Sequence, residues 1–238
     1  MLERLDDNWS VLIESEHLNL EMRADKLRPA ASLIKLGLVC QALQQLDPCS
    51  MLDRSLLANS VFPSVRCNLQ EQLTVSELCA WSLMTSDNAC ASLLLQQLGG
   101  SAAFNDWLRD AGYQQSSMQG DFSDRSLLGG EFQAVTTLRE ASQMLKQAME
   151  GSAKEWLGNC MLNSRVPALL PSYLPVWHKT GTLSGAVHDL AVVGDQPSWL
   201  IGVMSENQLQ AARSSLQIAE LALWARSLIL SGGPEERL

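Results

Sequence analysis

The chain has 238 residues, of which 46% are hydrophobic, and this is enough for one soluble unit with a sizeable core. Its formal net charge of -9 and the lack of any cluster of Lys and Arg exclude nucleic acid and anionic membranes as principal partners. The apolar runs are too short to span a bilayer, and the first residues lack the apolar core of an export signal. The sequence as it stands predicts a cytoplasmic protein, and the same chain with a signal removed would be periplasmic or secreted.

The first half of the chain is predicted to begin with a β-hairpin and to continue in helices. Strands over residues 9–15 and 18–23 form the hairpin, and a buried apolar helix begins at Ser32. Thr74 and Glu77 have the spacing of a capping box, in which each side chain bonds the backbone N–H of the other residue. Further helices are expected over residues 74–84, 88–99 and 101–111.

The second half changes from helical to strand periodicity. Residues 114–134 show no clear period and are predicted to form one long loop, a kind of segment that is usually functional or mobile. Thr137 and Glu140 have the spacing of a second capping box. The elements expected after them are helices over residues 137–149 and 153–162, strands over 176–182, 187–193 and 199–205, and a helix over 209–230 before a polar tail.

Strands at both ends of the chain with helices between them indicate an α+β fold. We expect a five-stranded antiparallel sheet built from both termini and flanked by helices, with an inserted all-helical lobe. The sheet subdomain would comprise residues 1–36 and 171–238, and the helical subdomain residues 37–170, together forming one domain.

The six cysteines are scattered, without the C-x-x-C pairs or neighbouring histidines that indicate a metal site. No motif implies a metal ion or an organic cofactor. We therefore expect reduced core residues at Cys40, Cys49, Cys67, Cys79, Cys90 and Cys160.

Ser32 and Lys35 lie three residues apart at the start of the first long helix, so their side chains can share one face. A serine hydroxyl is a poor nucleophile at neutral pH and needs a neighbouring base. A lysine serves as that base only when burial or another cation lowers its pKa. Alone, the pair is more typical of an N-cap serine and a solvated lysine than of a catalytic site. A catalytic role requires a second cation from elsewhere in the chain.

Two further motifs supply that context, namely Ser86-Asp87-Asn88 between two predicted helices and Lys179-Thr180-Gly181-Thr182 on a predicted strand. Together, S-x-x-K, S-D-N and K-T-G resemble the signature of class A β-lactamases and penicillin-binding proteins. The resemblance also takes in the stretches around these motifs and covers most of the chain. It implies the DD-peptidase/β-lactamase fold.

The resemblance implies a role for each motif. Ser32 would be the acylated nucleophile and Lys35 its base or proton relay. Lys179 would be the second cation that keeps the pKa of Lys35 low, and Ser86 would pass the proton to the leaving nitrogen. The backbone N–H groups of Ser32 and Thr182 would form the oxyanion hole, and the substrate would be held by Asn88, Thr180, Gly181 and Thr182.

The chain departs from the family pattern at two points. The Glu-x-x-Leu-Asn motif, whose glutamate activates the water that releases the acyl-enzyme, is absent, and alignment on the flanking residues sets Asp121 at its position. The arginine that often binds the substrate carboxylate is also absent, so Arg165 is its candidate substitute, the alternative being an ordinary surface arginine. Adjacent residues on a strand point to opposite faces, so His188 and Asp189 are not expected to form a Ser-His-Asp triad with the serine. His178 is expected to pack in the interior or to lie at the surface.

These observations predict a serine hydrolase that opens a β-lactam amide through an acyl-enzyme on Ser32. Its partner would be a small molecule, either a β-lactam or an acyl-peptide or ester, and the protein would be a monomer. Two alternatives stay open on sequence alone. One is a DD-peptidase-like or esterase-like hydrolase with little β-lactam turnover, and the other is a binding protein without turnover.

Overall fold

The computed structural model describes residues 1–59, 64–131 and 133–231. In this part of the chain the strands are β1 (Trp9–Glu14), β2 (Asn19–Met22), β3 (Arg28–Pro29), β4 (Met51–Asp53), β5 (Gln72–Thr74), β6 (Ser117–Gln119), β7 (Gln133–Thr136), β8 (Val176–Leu183), β9 (Ala186–Val193) and β10 (Trp199–Ser205). The α-helices are α1 (Lys35–Gln45), α2 (Val75–Met84), α3 (Asn88–Gln97), α4 (Gly100–Asp110), α5 (Asp124–Gly129), α6 (Leu138–Met149), α7 (Ala153–Gly158) and α8 (Ala211–Leu230).

The main sheet joins the two ends of the chain and confirms the predicted fold class. Its five strands run in the order β2-β1-β10-β9-β8, and every neighbouring pair is antiparallel. The middle strand is β10, and its Ser205 lies opposite Trp9 of β1. The hairpin predicted at the start of the chain is confirmed as β1 and β2. The strand β8 forms one edge of the sheet.

Both faces of the sheet are covered, which explains why its inner strands are apolar at nearly every position. Leu12 and Leu190 belong to the larger core, which α1, α2, α3 and α6 complete. Val11 and Ala191 point the other way, into a second core formed with α8. Because alternate strand residues face opposite sides, a strand buried on both sides reads as a continuous apolar run.

A predicted capping box is confirmed where the two capping residues bond to each other. At α2 the Thr74 hydroxyl accepts from the Glu77 N–H at 3.1 Å, and the Glu77 carboxylate accepts from the Thr74 N–H at 2.7 Å. At α6, Thr137 caps the helix in the same way, but the Glu140 carboxylate accepts from Ser116 and from the backbone of Gln115 instead. The second capping box is therefore only half formed.

The prediction of a structureless loop over residues 114–134 is wrong. The segment contains the short strands β6 and β7 and the helix α5, with Phe132 lying outside the described residues. β7 pairs with both β3 and β6, and the Asn105 side chain holds the backbone N–H and C=O of Met118. Strands of three or four residues are too short to show a period in the sequence.

Two other expectations need correction. The helix predicted over residues 153–162 ends at Gly158, because the chain then turns and the Met161 N–H donates to the Met84 carbonyl. Four of the cysteines are buried as predicted, but Cys49 and Cys67 are exposed. The division into a sheet and a helical subdomain stays a prediction, and the polar tail predicted after α8 lies almost wholly outside the described residues. None of the described helices is long and apolar enough to cross a membrane.

Candidate active site

The Ser32 turn connects β3, which pairs with β7 outside the main sheet, to the buried helix α1. It begins as a 3-10 turn over Ala31–Ile34 and continues directly into α1 at Lys35. Ala31 has a φ of 47°, a left-handed conformation that costs energy for a residue with a Cβ atom. The Ser32 side chain is half-buried, and its hydroxyl bonds to no other described residue. The hydroxyl is therefore available to an incoming group.

The Lys35 side chain is fully buried and crosses to the Ser86 turn. Its amine donates to the Ser86 carbonyl and to the Asn88 side-chain oxygen, both at 2.6 Å, and lies 3.5 Å from the Ser86 hydroxyl. The Asp87 carbonyl is a third, longer acceptor at 3.4 Å, so a protonated amine in this position finds a partner for each of its three N–H groups. The hydrogen bonds of the Lys35 amine thus go to the Ser86 turn and to Asn88, and its pairing with the Ser32 hydroxyl stays a prediction.

The Ser86 turn is held rigidly by the residue that follows it. Ser86 has a φ of 59°, again in the left-handed region. The fully buried Asp87 carboxylate accepts from the Cys90 N–H and from the Val65 N–H, each at 2.9 Å, and so caps α3. Strained conformations of this kind persist only where the surrounding structure fixes them, and they concentrate at functional sites.

Lys179 approaches Ser86 from the other side, from the edge strand β8. Its amine is fully buried and lies 2.9 Å from the Ser86 hydroxyl and 2.8 Å from the Thr180 carbonyl. Burial lowers the pKa of Lys179 to about 8. The structure therefore brings Lys35, Ser86 and Lys179, which lie far apart in sequence, to one point beside the Ser32 turn.

Burial and the neighbouring Lys179 charge hold the pKa of Lys35 well below its usual value, and the Asp87 charge only partly opposes them. The Phe122 ring also covers the amine, with the nitrogen 4.9 Å from the ring centre. This cation-π contact favours the ammonium, by about 2 kcal/mol or more where the ion is shielded from water. The burial of the amine by the whole site acts in the opposite direction and is the larger effect, because removing an ion from water costs several kcal/mol.

Gly181 allows β8 to lie directly against the Ser32 turn. A Cβ atom at this position would be 3.2 Å from the Ala31 Cβ and 3.0 Å from His188 Cδ2. No side chain fits there without moving one of them. The exposed Thr182 follows at the mouth of the site.

Arg165 is not a surface residue, so that alternative is wrong. The side chain is only 7% exposed. One nitrogen donates to the Gly181 carbonyl at 2.9 Å and also to the His188 carbonyl, and another donates to the Thr182 hydroxyl. The guanidinium thus lies directly behind the K-T-G strand and brings a positive charge to the candidate carboxylate site.

Asp121 does not join this group of residues. Its carboxylate accepts from both the backbone N–H and the hydroxyl of Ser123, and its own N–H donates to Ser126. Asp121 lines a different cavity of about 400 Å³, between the loop and the start of α4. The residue of this loop that faces Lys35 is the next one, Phe122. Nothing in the sequence pattern of the loop singles out this aromatic side chain, and the alignment on the flanking residues indicated Asp121 instead.

A buried ion pair behind β8 was also missed. His178 Nδ1 lies 3.0 Å from the Asp189 carboxylate, and His178 Nε2 lies 3.0 Å from the Asn163 side-chain oxygen. Burial alone would lower the pKa of His178, but Asp189 raises it to about 10. The tight turn between β8 and β9 sets Thr180 opposite Asp189, so His178 and Asp189 are diagonal neighbours on one face. That register could have been derived from the sequence.

The other buried histidine has a structural partner on each ring nitrogen. His188 Nε2 lies 2.7 Å from the Pro29 carbonyl, and Nδ1 accepts from the Ser205 N–H. Burial lowers its pKa to about 4, so the ring is neutral at physiological pH. The contacts described for His178 and His188 do not reach Ser32, which agrees with the expectation that no Ser-His-Asp triad forms. Within the described residues, no three His, Cys, Asp or Glu side chains are grouped to hold a metal ion.

The comparison with protein families gives a match over nearly the whole chain. The model of the family described as "Beta-lactamase enzyme family" matches residues 8–226. A β-lactamase of Mycobacterium tuberculosis is 29% identical over 210 residues, covering 79% of this chain and 68% of that protein. The carbapenem-hydrolyzing β-lactamase KPC of Klebsiella oxytoca is 33% identical over 134 residues, covering 51% of this chain and 46% of that protein.

The solved structures agree on the fold. An ancestral class A β-lactamase superimposes with a TM-score of 0.75 at 24% identity and covers 92% of this chain and 93% of its own. A class A β-lactamase from Bacteroides cellulosilyticus superimposes with a TM-score of 0.78 at 18% identity, covering 97% of this chain and 94% of its own. At these identities the likeness is one of fold.

Proposed function

Because this chain belongs to the β-lactamase enzyme family, we propose that it is a serine hydrolase that opens the amide of a β-lactam ring through an acyl-enzyme on Ser32. The observation that carries the proposal is the convergence of two buried lysines on the Ser86 hydroxyl, beside the Ser32 hydroxyl, which bonds to no other described residue. The relatives found are β-lactamases, so neither the peptidase or esterase reading nor the non-turnover reading is favoured. The partner is a small-molecule substrate, and a monomeric state stays a prediction.

In the acylation step, the Ser32 oxygen attacks the lactam carbonyl carbon and Lys35 takes its proton. The buried amine suits this role because it is neutral well below the usual lysine pKa. The lactam C–N bond then breaks, and Lys35 passes the proton to the Ser86 hydroxyl, which gives its own proton to the leaving nitrogen while Lys179 holds the hydroxyl at 2.9 Å. Lys35 is neutral again at the end of the step. The Ser32 and Thr182 N–H groups would bind the developing oxyanion.

Substrate recognition would use the opposite walls of the cleft. Asn88, whose side-chain oxygen is held by Lys35, would present its amide nitrogen to the acyl side chain. The substrate carboxylate would meet Lys179 and the hydroxyls of Thr180 and Thr182, along the strand that Gly181 keeps close to Ser32. Arg165 supports the positive charge at that end, because its guanidinium bonds the Thr182 hydroxyl. Asp121 as the base for deacylation stays a prediction.

The test is intact-protein mass spectrometry over time after mixing with nitrocefin or benzylpenicillin, with absorbance followed in parallel. The expected result is a transient adduct on Ser32 with continued colour change. Ser32→Ala should give neither adduct nor turnover, while the matched variant Ser227→Ala, at an exposed serine of α8, should behave as the parent. No adduct with either compound would overturn the proposal.

A further inference from the structure

A cavity separate from the Ser32 site lies between the segment 120–131, which contains α5, and the helices α3 and α4. Its volume is about 400 Å³, which is in the range of sites for small organic molecules. Ser32, Lys35, Ser86 and Lys179 are not among the residues that line it. The acylation steps described above therefore leave this cavity without a role.

Two carboxylates meet at the cavity because Ser126 holds the backbone of both residues. The Ser126 hydroxyl accepts from the Asp121 N–H at 3.0 Å, and the Ser126 carbonyl accepts from the Glu131 N–H at 2.8 Å. Both bonds to the Asp121 side chain use Oδ1, so Oδ2 accepts no hydrogen bond from the described residues. The Glu131 carboxylate lies 4.0 Å from the Arg125 guanidinium, which is too far for a hydrogen bond. Each carboxylate can therefore accept from a ligand.

Positive charge reaches the same cavity from two sources. The guanidinium of Arg125 lines the wall, and the loose pair with Glu131 is its one contact with a charged group among the described residues. Gly100 and Ser101, which begin α4, line the wall as well. The N-cap of this 11-residue helix is Gly99, which provides no side-chain cap, so the first N–H groups of α4 can donate to an anion. The cavity thus presents charge of both signs.

Ser92 of α3 is the residue that points to a bound ligand. Its side chain lines the cavity and is only 6% exposed, and its hydroxyl is buried without a hydrogen-bond partner among the described residues. Buried hydroxyls are nearly always bonded, because leaving one without a partner costs free energy. A polar group in the cavity would supply the missing partner. Leu95, one turn further along α3, adds an apolar patch to the same wall.

We propose that this cavity is a second ligand site and that it binds a small zwitterion, namely a free α-amino acid with an apolar side chain. The ammonium group of the ligand would donate to Asp121 and Glu131. Its carboxylate would accept from Arg125, from the first N–H groups of α4 and from the Ser92 hydroxyl, while its side chain packs on Leu95. A metal ion would be repelled by the guanidinium, and a simple anion by the two carboxylates. One molecule that carries both charges satisfies all of these groups.

Isothermal titration calorimetry of the full chain with three matched probes tests the proposal. Leucine carries both charges, leucinamide lacks the carboxylate, and N-acetylleucine lacks the ammonium group. We expect leucine to bind with a Kd of about 1 mM and the other two to bind at least about tenfold more weakly, because each has lost one set of charge-assisted hydrogen bonds. No β-lactam is present, so the result does not depend on whether Ser32 is acylated.

Substitutions in the wall should act on one end of the ligand at a time. Arg125→Gln should weaken leucine about tenfold and leave leucinamide unchanged, since leucinamide has no carboxylate to lose. Glu131→Gln should weaken leucine to a similar extent and leave N-acetylleucine unchanged. Ser92→Ala should cost leucine about threefold. Glu220→Gln, at an exposed position of α8, is the matched control and should bind leucine as the parent does.

Three results would overturn the inference. The parent protein binds none of the probes, or it binds all three equally, so that the two charges of the ligand are not read together. Alternatively, leucine binds but Arg125→Gln and Glu131→Gln, both folded by circular dichroism, keep the parental Kd, and the amino acid then binds elsewhere on the molecule. The mass-spectrometric test of Ser32 is a separate measurement, so the proposed hydrolase activity stands or fails independently of these results.

Discussion

The amine of Lys179 lies 2.9 Å from the hydroxyl of Ser86, and both groups lie against the fully buried Lys35. The Lys179 charge makes Lys35 harder to protonate, since two like charges in a buried site repel. Burial lowers the pKa of Lys179 itself to about 8, so Lys179 remains charged at neutral pH. One lysine can thus act as a base while the other binds an anion.

The first prediction concerns the pH dependence of catalysis. A lysine is charged only below its pKa, so kcat/KM for a carboxylate-bearing β-lactam should fall as the pH rises above about 8. An arginine stays charged throughout this range, so Lys179→Arg should remove the basic limb up to about pH 10, although with lower activity at neutral pH. Initial rates with benzylpenicillin across the pH range check this. A limb that is the same in both proteins would mean that another group titrates.

The second prediction concerns the approach of β8 to the nucleophile. In Gly181→Ala the new methyl group would meet Ala31 and His188, so either the strand or the Ser32 turn must shift by a few tenths of an ångström. We expect kcat/KM to fall by about 10- to 100-fold, with about 1–3 kcal/mol lost from the free energy of unfolding. Gly151→Ala, where a Cβ atom meets nothing within 4 Å, should leave activity unchanged. Equal kinetics in the two variants would contradict this prediction.

The third prediction assigns Arg165 to the substrate carboxylate. Arg165→Lys keeps a positive charge but cannot bond Gly181, His188 and Thr182 together. KM for benzylpenicillin should rise about tenfold. The methyl ester of the same compound lacks the charge and should show a much smaller change. The comparison separates misplacement of the positive charge from general damage, because general damage would raise both KM values equally.

The fourth prediction concerns stability and the ion pair behind the sheet. The pKa of His178 is about 10 in the folded protein and ordinarily 6.5, so the pair stabilises fully below about pH 6.5 and the effect is lost as the pH rises through about 10. Asp189→Asn removes the charge and should lower the free energy of unfolding by about 3–5 kcal/mol at the acid end. The difference from the parent should shrink with rising pH, as urea unfolding at several pH values would show. A difference independent of pH would argue against a charged pair.

The sequence predicted those parts of the fold in which the signal is local. Thr74 and Glu77 are three residues apart, and their reciprocal bonds start α2 as expected. Glu140 has the same spacing from Thr137, yet it serves Ser116 in the preceding segment. A distant partner of this kind leaves no trace in local spacing. The short strands β6 and β7 were not predicted for the same reason, since each is defined by its pairing with a remote segment.

In the site, the three motifs correctly indicated which polar groups converge, because each motif couples a residue type to a fixed backbone geometry. The roles of those groups stay predictions. The motifs do not predict which residue of the next loop faces Lys35. Whether Asp121 or Phe122 points inward depends on how the chain turns between β6 and α5. A shift of one residue there exchanges a carboxylate for an aromatic ring.

The central pairing of β1 with β10 has a consequence for synthesis of the chain. Trp9 leaves the ribosome long before Ser205, its partner across the sheet. Until β10 has emerged, the first hairpin is only a two-stranded ribbon with an unpaired inner edge, and such ribbons are marginally stable in water. The sheet therefore forms only after β10 has been made, and during that interval the exposed edge of β1 is open to pairing with other chains.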